Sequence, residues 1–429
     1  MASRKISPNM ALDQLVAERR AGGEDILHLG FGESRLPVFP GLVDRLAQGA
    51  RRSAYGAVVG DLAVREAVAG YFDRRRLPTR PEQIIVAPGS KPLLMALQMV
   101  VPGDLVIPRP AWNTYAPQAR AMGKKVFGVD LPDLCGGVPD PKLLRDTVLA
   151  ARAAGDDPRI LILTLPDNPT GTYAPPGLVR ELCALARELD LLIVSDEIYR
   201  DVLHDPTEPF LSPVEAAPER TVVTTGLSKN LAIGGWRIGA ARFPEGTRGD
   251  GIRDRVASAA SEVWSNLAGP MQEVAAYAFA EPPELTAYIA RCTRLHGVVA
   301  AAVHRVLVDA GALCRSPTGA FYLYPDLEPK REALARLGIT DSVSLQERLL
   351  EQSGVAVLGG HHLGDRPETL RFRIATCQLY GDTDELRHAA LASDDPLRLP
   401  HISQALSRIE ESLAKLLHQT RTDVSVLAE

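Results

Sequence analysis

The sequence has few cysteines and no pattern that would pair them. The five cysteines are odd in number and far apart in the chain: Cys135, Cys183, Cys292, Cys314 and Cys377. Because none forms a C-x-x-C pair, neither a disulfide framework nor a zinc site is expected, and reduced, mostly buried thiols are the simplest interpretation. We also expect no metal site at His361 and His362, which lie in the loop GGHHLGDRP.

Long apolar runs and a large excess of one charge are absent as well. No apolar run approaches the ~20 residues needed to span a bilayer, and the N-terminal segment lacks the apolar core of a signal peptide. The formal net charge of -5 gives no electrostatic reason to expect nucleic acid or an anionic membrane as a partner. With 45% hydrophobic residues in a chain of 429, we expect a cytoplasmic globular protein of two domains that acts on small molecules.

Short apolar runs alternate with longer helical segments through the first part of the chain. The runs that predict buried strands are Gln83–Ala87, Asp104–Pro108, Arg159–Leu165, Leu191–Ser195 and Thr221–Thr225. Between two of them, Pro175–Asp190 has helical periodicity. Repeated strand–helix–strand units predict an α/β fold with a mostly parallel sheet flanked by helices.

Beyond about residue 290 the spacing of helices and strands becomes wider. This change predicts a second, smaller α+β domain. In the last predicted helix, one stripe of apolar residues falls at helical spacing and is expected to be purely structural: Ile402, Leu406, Ile409, Leu413 and Leu416. From Val424 onward the sequence is typical of a loose tail.

Four of the predicted strands are followed directly by residues that could bind a ligand. Ligands of open α/β sheets bind beyond the carboxyl ends of the strands, where the loops converge. In chain order these residues are Gly89, Ser90 and Lys91, then Asn168, then Asp196 and Tyr199, and finally Ser228 and Lys229. They provide a helix N-terminus suited to a phosphate, an amide, a carboxylate with a phenol, and an amine.

Each of these residues alone has an ordinary interpretation. Asp196 would be a helix cap, Asn168 a turn residue and Lys229 a solvated charge. Together they meet the needs of pyridoxal 5'-phosphate: an amine for a Schiff base, a carboxylate for the ring nitrogen, donors for the phenolic oxygen and an anion site. Arg237, eight positions after Lys229, could grip the phosphate with its planar guanidinium.

Seven motifs in a fixed order extend this pattern over most of the chain. They are SAYGAVVGDLAVREAVAGYF, APGSKPLL, PAWNTY, DNPTGT, VSDEIY, GLSKN followed by GGWRIG, and LRFRIAT. From about Asp25 to about Leu417 the chain resembles class I/II aminotransferases of the fold-type I, aspartate-aminotransferase-like superfamily of pyridoxal phosphate enzymes. The resemblance implies a large cofactor-binding domain at 46–285 and a small domain at 286–417. It also implies an arm and part of the small domain at 1–45, and a tail at 418–429.

The resemblance also implies roles for individual residues around the cofactor. Lys229 would be the Schiff-base lysine, Asp196 the partner of the ring nitrogen, and Tyr199 and Asn168 donors to the phenolic oxygen. The phosphate would be held by Gly89, Ser90, the backbone amide of Lys91, Ser228 and Arg237, while Trp112 would stack on the ring.

A further set of residues would bind the substrate or contact the partner subunit. Tyr55 resembles a tyrosine that reaches the phosphate from the neighbouring subunit, which implies a homodimer with shared active sites. Arg371 would bind the substrate α-carboxylate, with Gly32 and Asn168 lining the same pocket. Arg373 lies two residues away, on the same face if this segment is a strand, and the choice of Arg371 rests on alignment to Ala375 and Thr376.

Three departures from the family pattern concern the phosphate cup and the side-chain pocket. Gly226 stands where many relatives have a phosphate-binding serine. The usual G-x-P-D after the first strand is replaced by residues 32–35, which contain Glu33 and Arg35. Ser261 stands where aspartate-specific relatives carry an arginine. A dicarboxylate preference is therefore not expected, Glu33 or Glu262 could favour a cationic side chain, and the sequence leaves the roles of Arg35 and Trp264 open.

The expected reaction is transfer of an amino group between an L-amino acid and a 2-oxo acid by a ping-pong cycle, with Lys229 as the general base and acid. The same cofactor shell also serves lyases, cyclases and oxidases, and the motifs alone do not separate these reactions from transamination. A pyridoxal-phosphate-sensing transcription regulator is the alternative from another class. It is disfavoured because only about 25 residues precede the match and the net charge is negative.

Overall fold

The computed structural model describes residues 6–422, with side chains described as far as Leu417. The predicted tail at 418–429 begins inside a helix, because the last helix continues to Thr422. The segment from Val424 onward, predicted to be loose, lies outside the described residues.

Twelve strands and fifteen α-helices lie within the described residues. The strands are β1 (Leu27–His28), β2 (Ile84–Ala87), β3 (Asp104–Arg109), β4 (Val126–Asp130), β5 (Pro158–Thr164), β6 (Leu192–Asp196), β7 (Thr221–Gly226), β8 (Gly239–Arg242), β9 (Tyr322–Leu323), β10 (Val355–Ala356), β11 (Leu358–Gly359) and β12 (Phe372–Ala375). The helices are α1 (Pro8–Ala21), α2 (Pro40–Gly49), α3 (Leu62–Asp73), α4 (Ser90–Val100), α5 (Tyr115–Ala121), α6 (Pro141–Ala153), α7 (Pro176–Glu188), α8 (Pro213–Ala216), α9 (Thr247–Val263), α10 (Gly269–Ala280), α11 (Pro283–Asp309), α12 (Arg331–Arg336), α13 (Ser342–Ser353), α14 (Asp384–Ala392) and α15 (Pro400–Thr422).

The central sheet has seven strands in the order β2-β8-β7-β6-β5-β3-β4. The strands β7, β6, β5, β3 and β4 pair in parallel, and β8 runs antiparallel to both of its neighbours. All five strands predicted from apolar runs are present in this sheet. The predicted α/β fold with a mostly parallel sheet is therefore confirmed.

The sheet is covered by helices on both faces, and its strands are apolar on both sides. In β2, Ile84 and Val86 belong to one core cluster, while the intervening Ile85 and Ala87 belong to another. Successive side chains of a strand point to opposite faces, so this alternation means that both faces are buried. Burial on both faces explains why the strands are continuous apolar runs in the sequence.

Two strands of the central sheet were not among the predicted runs. The strand β8 consists of small residues and one arginine, and β4 includes Gly128 and ends at Asp130. Neither has the run of large β-branched residues that predicts a strand. Both are held in the sheet by backbone pairing, β8 with β2 and β7, and β4 with β3.

The remaining strands form two small sheets, which join β1 near the N-terminus and four strands of the C-terminal part of the chain. The strands β11, β12 and β9 make one sheet, and β1 pairs in parallel with β10. The predicted stripe of α15 packs inward, with Ile402, Ile409, Leu413 and Leu416 buried and Leu406 partly buried. The helix α11 crosses the predicted boundary at residue 285. The division into domains stays a prediction.

No helix among residues 6–422 combines the length and the apolar character that crossing a bilayer requires.

The helix α11 carries a histidine that lies fully inside the core. The Nδ1 atom of His296 is 2.6 Å from the hydroxyl of Tyr380, and its ring centroid lies 5.0 Å from that of Phe321. Burial lowers the pKa of His296 to about 3, because the charged imidazolium would lose its hydration. The folded protein therefore keeps this side chain neutral at physiological pH.

Replacement of His296 by glutamine should make the free energy of unfolding depend less on pH below neutrality. Between pH 6.5 and about 3 the unfolded chain binds a proton at His296 that the folded chain excludes, so acid favours unfolding. Between pH 7.5 and 5 the free energy of unfolding of the native protein should fall by about 2 kcal/mol more than that of His296→Gln. Urea unfolding of both proteins at each pH measures this difference, and equal slopes would contradict a neutral buried histidine.

Candidate active site

A cavity of about 570 Å³ lies at the carboxyl ends of the parallel strands. Ten residues predicted from the sequence line it: Gly32, Ser90, Lys91, Trp112, Asn168, Asp196, Tyr199, Ser228, Lys229 and Arg237. These residues come from distant parts of the chain, and the sheet brings them together because its strands all end at this edge.

Lys229 follows β7 and projects its amine into this cavity. The Nζ atom donates a hydrogen bond of 2.5 Å to the backbone oxygen of Gly32. Burial lowers the pKa of Lys229 to about 8, because the ammonium form is poorly hydrated there. The negative charge of Glu33 opposes this shift, and the positive charges of Arg373 and Lys91 add to it. An amine with such a pKa is in part neutral near pH 7, as a nucleophile or a proton carrier needs to be.

Asp196, at the end of β6, is a buried carboxylate held by hydroxyl groups. The hydroxyl of Tyr115 donates to Oδ2 of Asp196 at 2.7 Å, and the hydroxyl of Thr224 donates to Oδ1 at 3.1 Å. Burial raises the pKa of Asp196 to about 6, and these hydrogen bonds limit the rise. A cationic group beside this carboxylate would favour its ionised form. Sequence reasoning missed Tyr115, although it lies within the quoted motif PAWNTY.

The start of α4 and Arg237 form a corner of the cavity that is suited to an anion. A Cβ on Gly89, whose φ is +92°, would lie 2.2 Å from Nη2 of Arg237, so only glycine leaves room for the guanidinium. Arg237 itself has a left-handed backbone with φ 57°, a strained conformation for a residue other than glycine. The free backbone N–H groups of α4 begin at Ser90 in the same corner.

The side chain of Lys91 also lies at this corner, whereas the sequence predicted a role only for its backbone. Its Nζ atom lies 5.2 Å from the ring centroid of Trp112. Burial and the positive charge of Arg237 both lower the pKa of Lys91. Neither cation forms a salt bridge with a carboxylate within residues 6–417. Two unpaired cations beside a helix N-terminus are suited to a multiply charged anion.

The hydroxyl oxygens of Tyr199 and Tyr322 lie 2.7 Å apart, near Lys229. The hydroxyl of Tyr322 also lies 3.3 Å from the backbone oxygen of Gly32. Each phenol has only one proton, so Tyr199 can donate into the cavity only when Tyr322 supplies the proton between the two oxygens. Tyr322 was missed because its strand, β9, is far from the other motifs in the sequence.

Asn168 and Arg373 form one hydrogen-bonded unit on the wall of the cavity. The Nη1 atom of Arg373 donates to Oδ1 of Asn168 at 3.0 Å, which leaves the amide nitrogen of Asn168 free to donate into the cavity. The Nη2 atom donates to the backbone oxygen of Gly30 at 2.6 Å and to Oδ1 of Asn9 at 3.3 Å. Arg373 is fully buried, its Nε atom has no partner, and no described carboxylate pairs with it.

The assignment of Arg371 to the substrate pocket is contradicted by the structure. Arg371 precedes the first residue of β12, and its guanidinium pairs with Asp326 at 2.7 Å and with Asp365 at 3.3 Å. These contacts lie in a separate cleft that does not include Lys229. Arg373, inside the strand, is the arginine that lines the cavity. The correction follows from where β12 begins, which the sequence pattern did not define.

Two glycines near the cavity are required by close approaches of other groups. A Cβ on Gly32 would lie 2.1 Å from the hydroxyl of Tyr322. A Cβ on Gly226 would lie 2.6 Å from the backbone oxygen of Ile238. The backbone at Gly226 therefore leaves no room for a serine side chain, unless the neighbouring strand moves.

Several predicted residues lie away from this cavity. Tyr55 is 88% exposed and does not line the cavity of its own protomer, so its role toward a partner subunit stays a prediction. The hydroxyl of Ser261 donates to Glu262 at 3.0 Å, and both residues are exposed at the end of α9. Trp112, by contrast, does line the cavity and packs edge-on against Tyr115 with ring centroids 5.3 Å apart.

The N-terminal helix contributes a side of the cavity that sequence reasoning did not foresee. Four residues at its start line the cavity: Ser7, Asn9, Met10 and Asp13. The side-chain amide of Asn9 also donates to Asn113 at 3.1 Å and so links α1 to the loop before α5. No local pattern reveals these contacts, because they join residues more than a hundred positions apart.

Comparison with known proteins shows which protein family this chain resembles. The profile described as aminotransferase class I and II matches residues 24–392. The chain is similar to the aspartate/prephenate aminotransferase of Thermus thermophilus, with 32% identity over 83% of this chain and 88% of the relative. It is also 28% identical to the LL-diaminopimelate aminotransferase of Nitratidesulfovibrio vulgaris, over 88% of this chain and 93% of the relative.

Solved structures agree with these relatives. The aspartate aminotransferase from Thermus thermophilus, solved with maleate, superposes with a TM-score of 0.78 and 28% identity, covering 95% of this chain and 97% of that one. The likeness therefore spans the whole fold, including the strands that position the cavity. The chain belongs to the class I and II aminotransferase family.

Proposed function

We propose that this aminotransferase holds pyridoxal 5'-phosphate in the cavity on Lys229. It would move an amino group between an L-amino acid and a 2-oxo acid by a ping-pong mechanism. The observation that carries the proposal is the meeting of a buried amine, Lys229, and a buried carboxylate, Asp196, with the unpaired Arg373 in one cavity. The names of the relatives include aspartate, prephenate and LL-diaminopimelate, so they do not select one substrate.

The residues present fit this cofactor. The corner formed by Lys91, Arg237 and the start of α4 has unpaired positive charge and suits the phosphate group. Asp196 has its pKa raised to about 6 by burial, so a protonated ring nitrogen beside it would be a matching partner. The amide nitrogen of Asn168 and the hydroxyl of Tyr199 offer neutral donors for the phenolic oxygen.

Lys229 is the group that would move protons. When bound, pyridoxal phosphate would act as an electron sink for the charge that develops at the substrate α-carbon. With a pKa of about 8, Nζ of Lys229 can accept a proton from that carbon and return it nearby. Its hydrogen bond to the oxygen of Gly32 orients Nζ before the reaction.

Arg373 is the residue suited to the α-carboxylate of the substrate. Its guanidinium is held by neutral oxygens of Asn168, Asn9 and Gly30, so its charge remains available for an anion. The start of α1 lies against this arginine through Asn9 and helps to exclude water from it. This arrangement would fix the substrate so that its α-carbon lies near Lys229.

A homodimer with shared sites is part of the proposal. Support comes from Tyr55, a large side chain that is 88% exposed although it lies in a motif resembling the family's inter-subunit tyrosine segment. An exposed aromatic side chain of this kind is typical of an interface. Location in the cytoplasm stays a prediction.

Replacement of Lys229 by alanine should abolish turnover while cofactor binding persists. The loss should be about 10²- to 10⁴-fold or more, the range for a lost acid–base group. Borohydride reduction and peptide mass spectrometry should place the cofactor of the native protein on Lys229. Lys142→Ala, which removes an exposed lysine paired with Asp146, should retain activity. An adduct on another lysine, or ammonia released without an aminated cofactor, would contradict the proposal.

Replacement of Arg373 by lysine should weaken the binding of both amino acids and oxo acids. A lysine cannot provide two parallel hydrogen bonds, so KM should rise by about tenfold or more while the bound cofactor keeps its absorption band. The matched control is Arg371→Lys, two positions away, which should change KM by less than about twofold. If the control raises KM and Arg373→Lys does not, the structural correction is wrong.

A further inference from the structure

The active-site cavity has an acidic end that the proposed function leaves without a role. Asp13 of α1 and Glu33 both line the cavity, with about a third of each side chain exposed. Met10, Phe31 and Ile198 also line the cavity. The cavity therefore offers apolar side chains as well as carboxylates to the side chain of a substrate.

The cations of the cavity are already engaged at other positions. Four of them line it within the described residues: Lys91, Lys229, Arg237 and Arg373. The first three belong to the proposed cofactor shell, and Arg373 is suited to the α-carboxylate. No cation of the described lining therefore remains for a second carboxylate on the substrate.

The acidic end has a net charge of one negative unit. Asp13 and Glu33 carry two negative charges and Arg35 one positive charge, while burial lowers the pKa of His28 and keeps its ring neutral. Arg35 lies 3.5 Å from Asp13 and 3.7 Å from Glu33, which is long for a charge-assisted hydrogen bond. Arg35 is also 41% exposed, so its pairing with both carboxylates is weak.

The position of Glu33 places its carboxylate near the reacting atoms. Glu33 follows Gly32, whose backbone oxygen accepts the hydrogen bond from Nζ of Lys229. Its Oε1 atom lies 3.2 Å from the place where a Cβ on Gly234 would stand, in the loop between Lys229 and Arg237. Arg373, in the same cavity, has a buried Nε atom without a partner. The cavity thus contains both an arginine without a described carboxylate partner and two carboxylates.

We propose that Glu33 and Asp13 bind the side chain of the amino donor. The donors would be L-amino acids with an unbranched aliphatic side chain that ends in an ammonium or guanidinium group. This inference rests on the proposed function, because Arg373 must hold the α-carboxylate for the side chain to reach Glu33. A dicarboxylic donor would place its second carboxylate beside two like charges, which opposes its binding.

The test uses the holoenzyme and single-turnover amination of its bound cofactor. The quantity measured is the maximal rate constant divided by the dissociation constant for L-lysine, L-norleucine and L-glutamate. L-norleucine has the same carbon chain as L-lysine without the ammonium group. L-lysine should exceed both others by about tenfold or more, since a charge-assisted hydrogen bond is gained.

Charge-removing variants identify the group responsible. Glu33→Gln should lower the ratio of L-lysine to L-norleucine by about tenfold, and Asp13→Asn should lower it in the same direction. Glu245→Gln removes a negative charge from an exposed ion pair with Arg80, 3.0 Å away, and should leave the ratio unchanged. A ratio that Glu33→Gln does not lower would overturn the inference, as would a preference for L-norleucine or L-glutamate in the native enzyme. Failure to form an oxo acid from any amino acid would instead overturn the proposed function and this inference with it.

Discussion

A buried guanidinium without a carboxylate partner is the constraint on which the site depends. Burying an unpaired charge is costly, and proteins normally place an acidic group beside it. Arg373 is instead held by oxygens of Asn168, Asn9 and Gly30, which orient it without neutralising it. The positive charge of Arg373 is thereby left without a carboxylate partner among the described residues. The three acceptors come from separate segments, so the folded chain fixes the arginine from several sides.

The central sheet provides the second requirement, a common edge for groups that must react together. Its parallel strands end on one side, and β5, β6 and β7 deliver Asn168, Asp196 and Lys229 there within one cavity. Burial then shifts the pKa of the last two groups in opposite directions, upward for the carboxyl and downward for the amine. Both shifts favour the neutral form of the side chain. A charged ligand nearby can reverse each shift.

The sequence predicted most of what local signals can encode. Apolar runs defined five strands of the sheet, and the residues directly after them, such as Asp196 and Lys229, lie in the cavity as expected. The predictions that failed depend on the start of a strand and on contacts between distant segments. Arg371 precedes β12 and Arg373 lies inside it, so the strand directs only Arg373 into the cavity, and the sequence pattern did not define where the strand begins. Tyr322 and the residues of α1 reach the site through contacts between distant segments, for which a single sequence carries no local signal.

The tight backbone at Gly226 limits how this active site could be altered. The strands β7 and β8 approach so closely there that a Cβ would meet the backbone oxygen of Ile238 at 2.6 Å. A hydroxyl cannot be added to the corner formed by the start of α4 and Arg237 by changing this one residue, since the obstacle is main chain and has no rotamer to change. A serine at position 226 would therefore require two paired strands to move apart first.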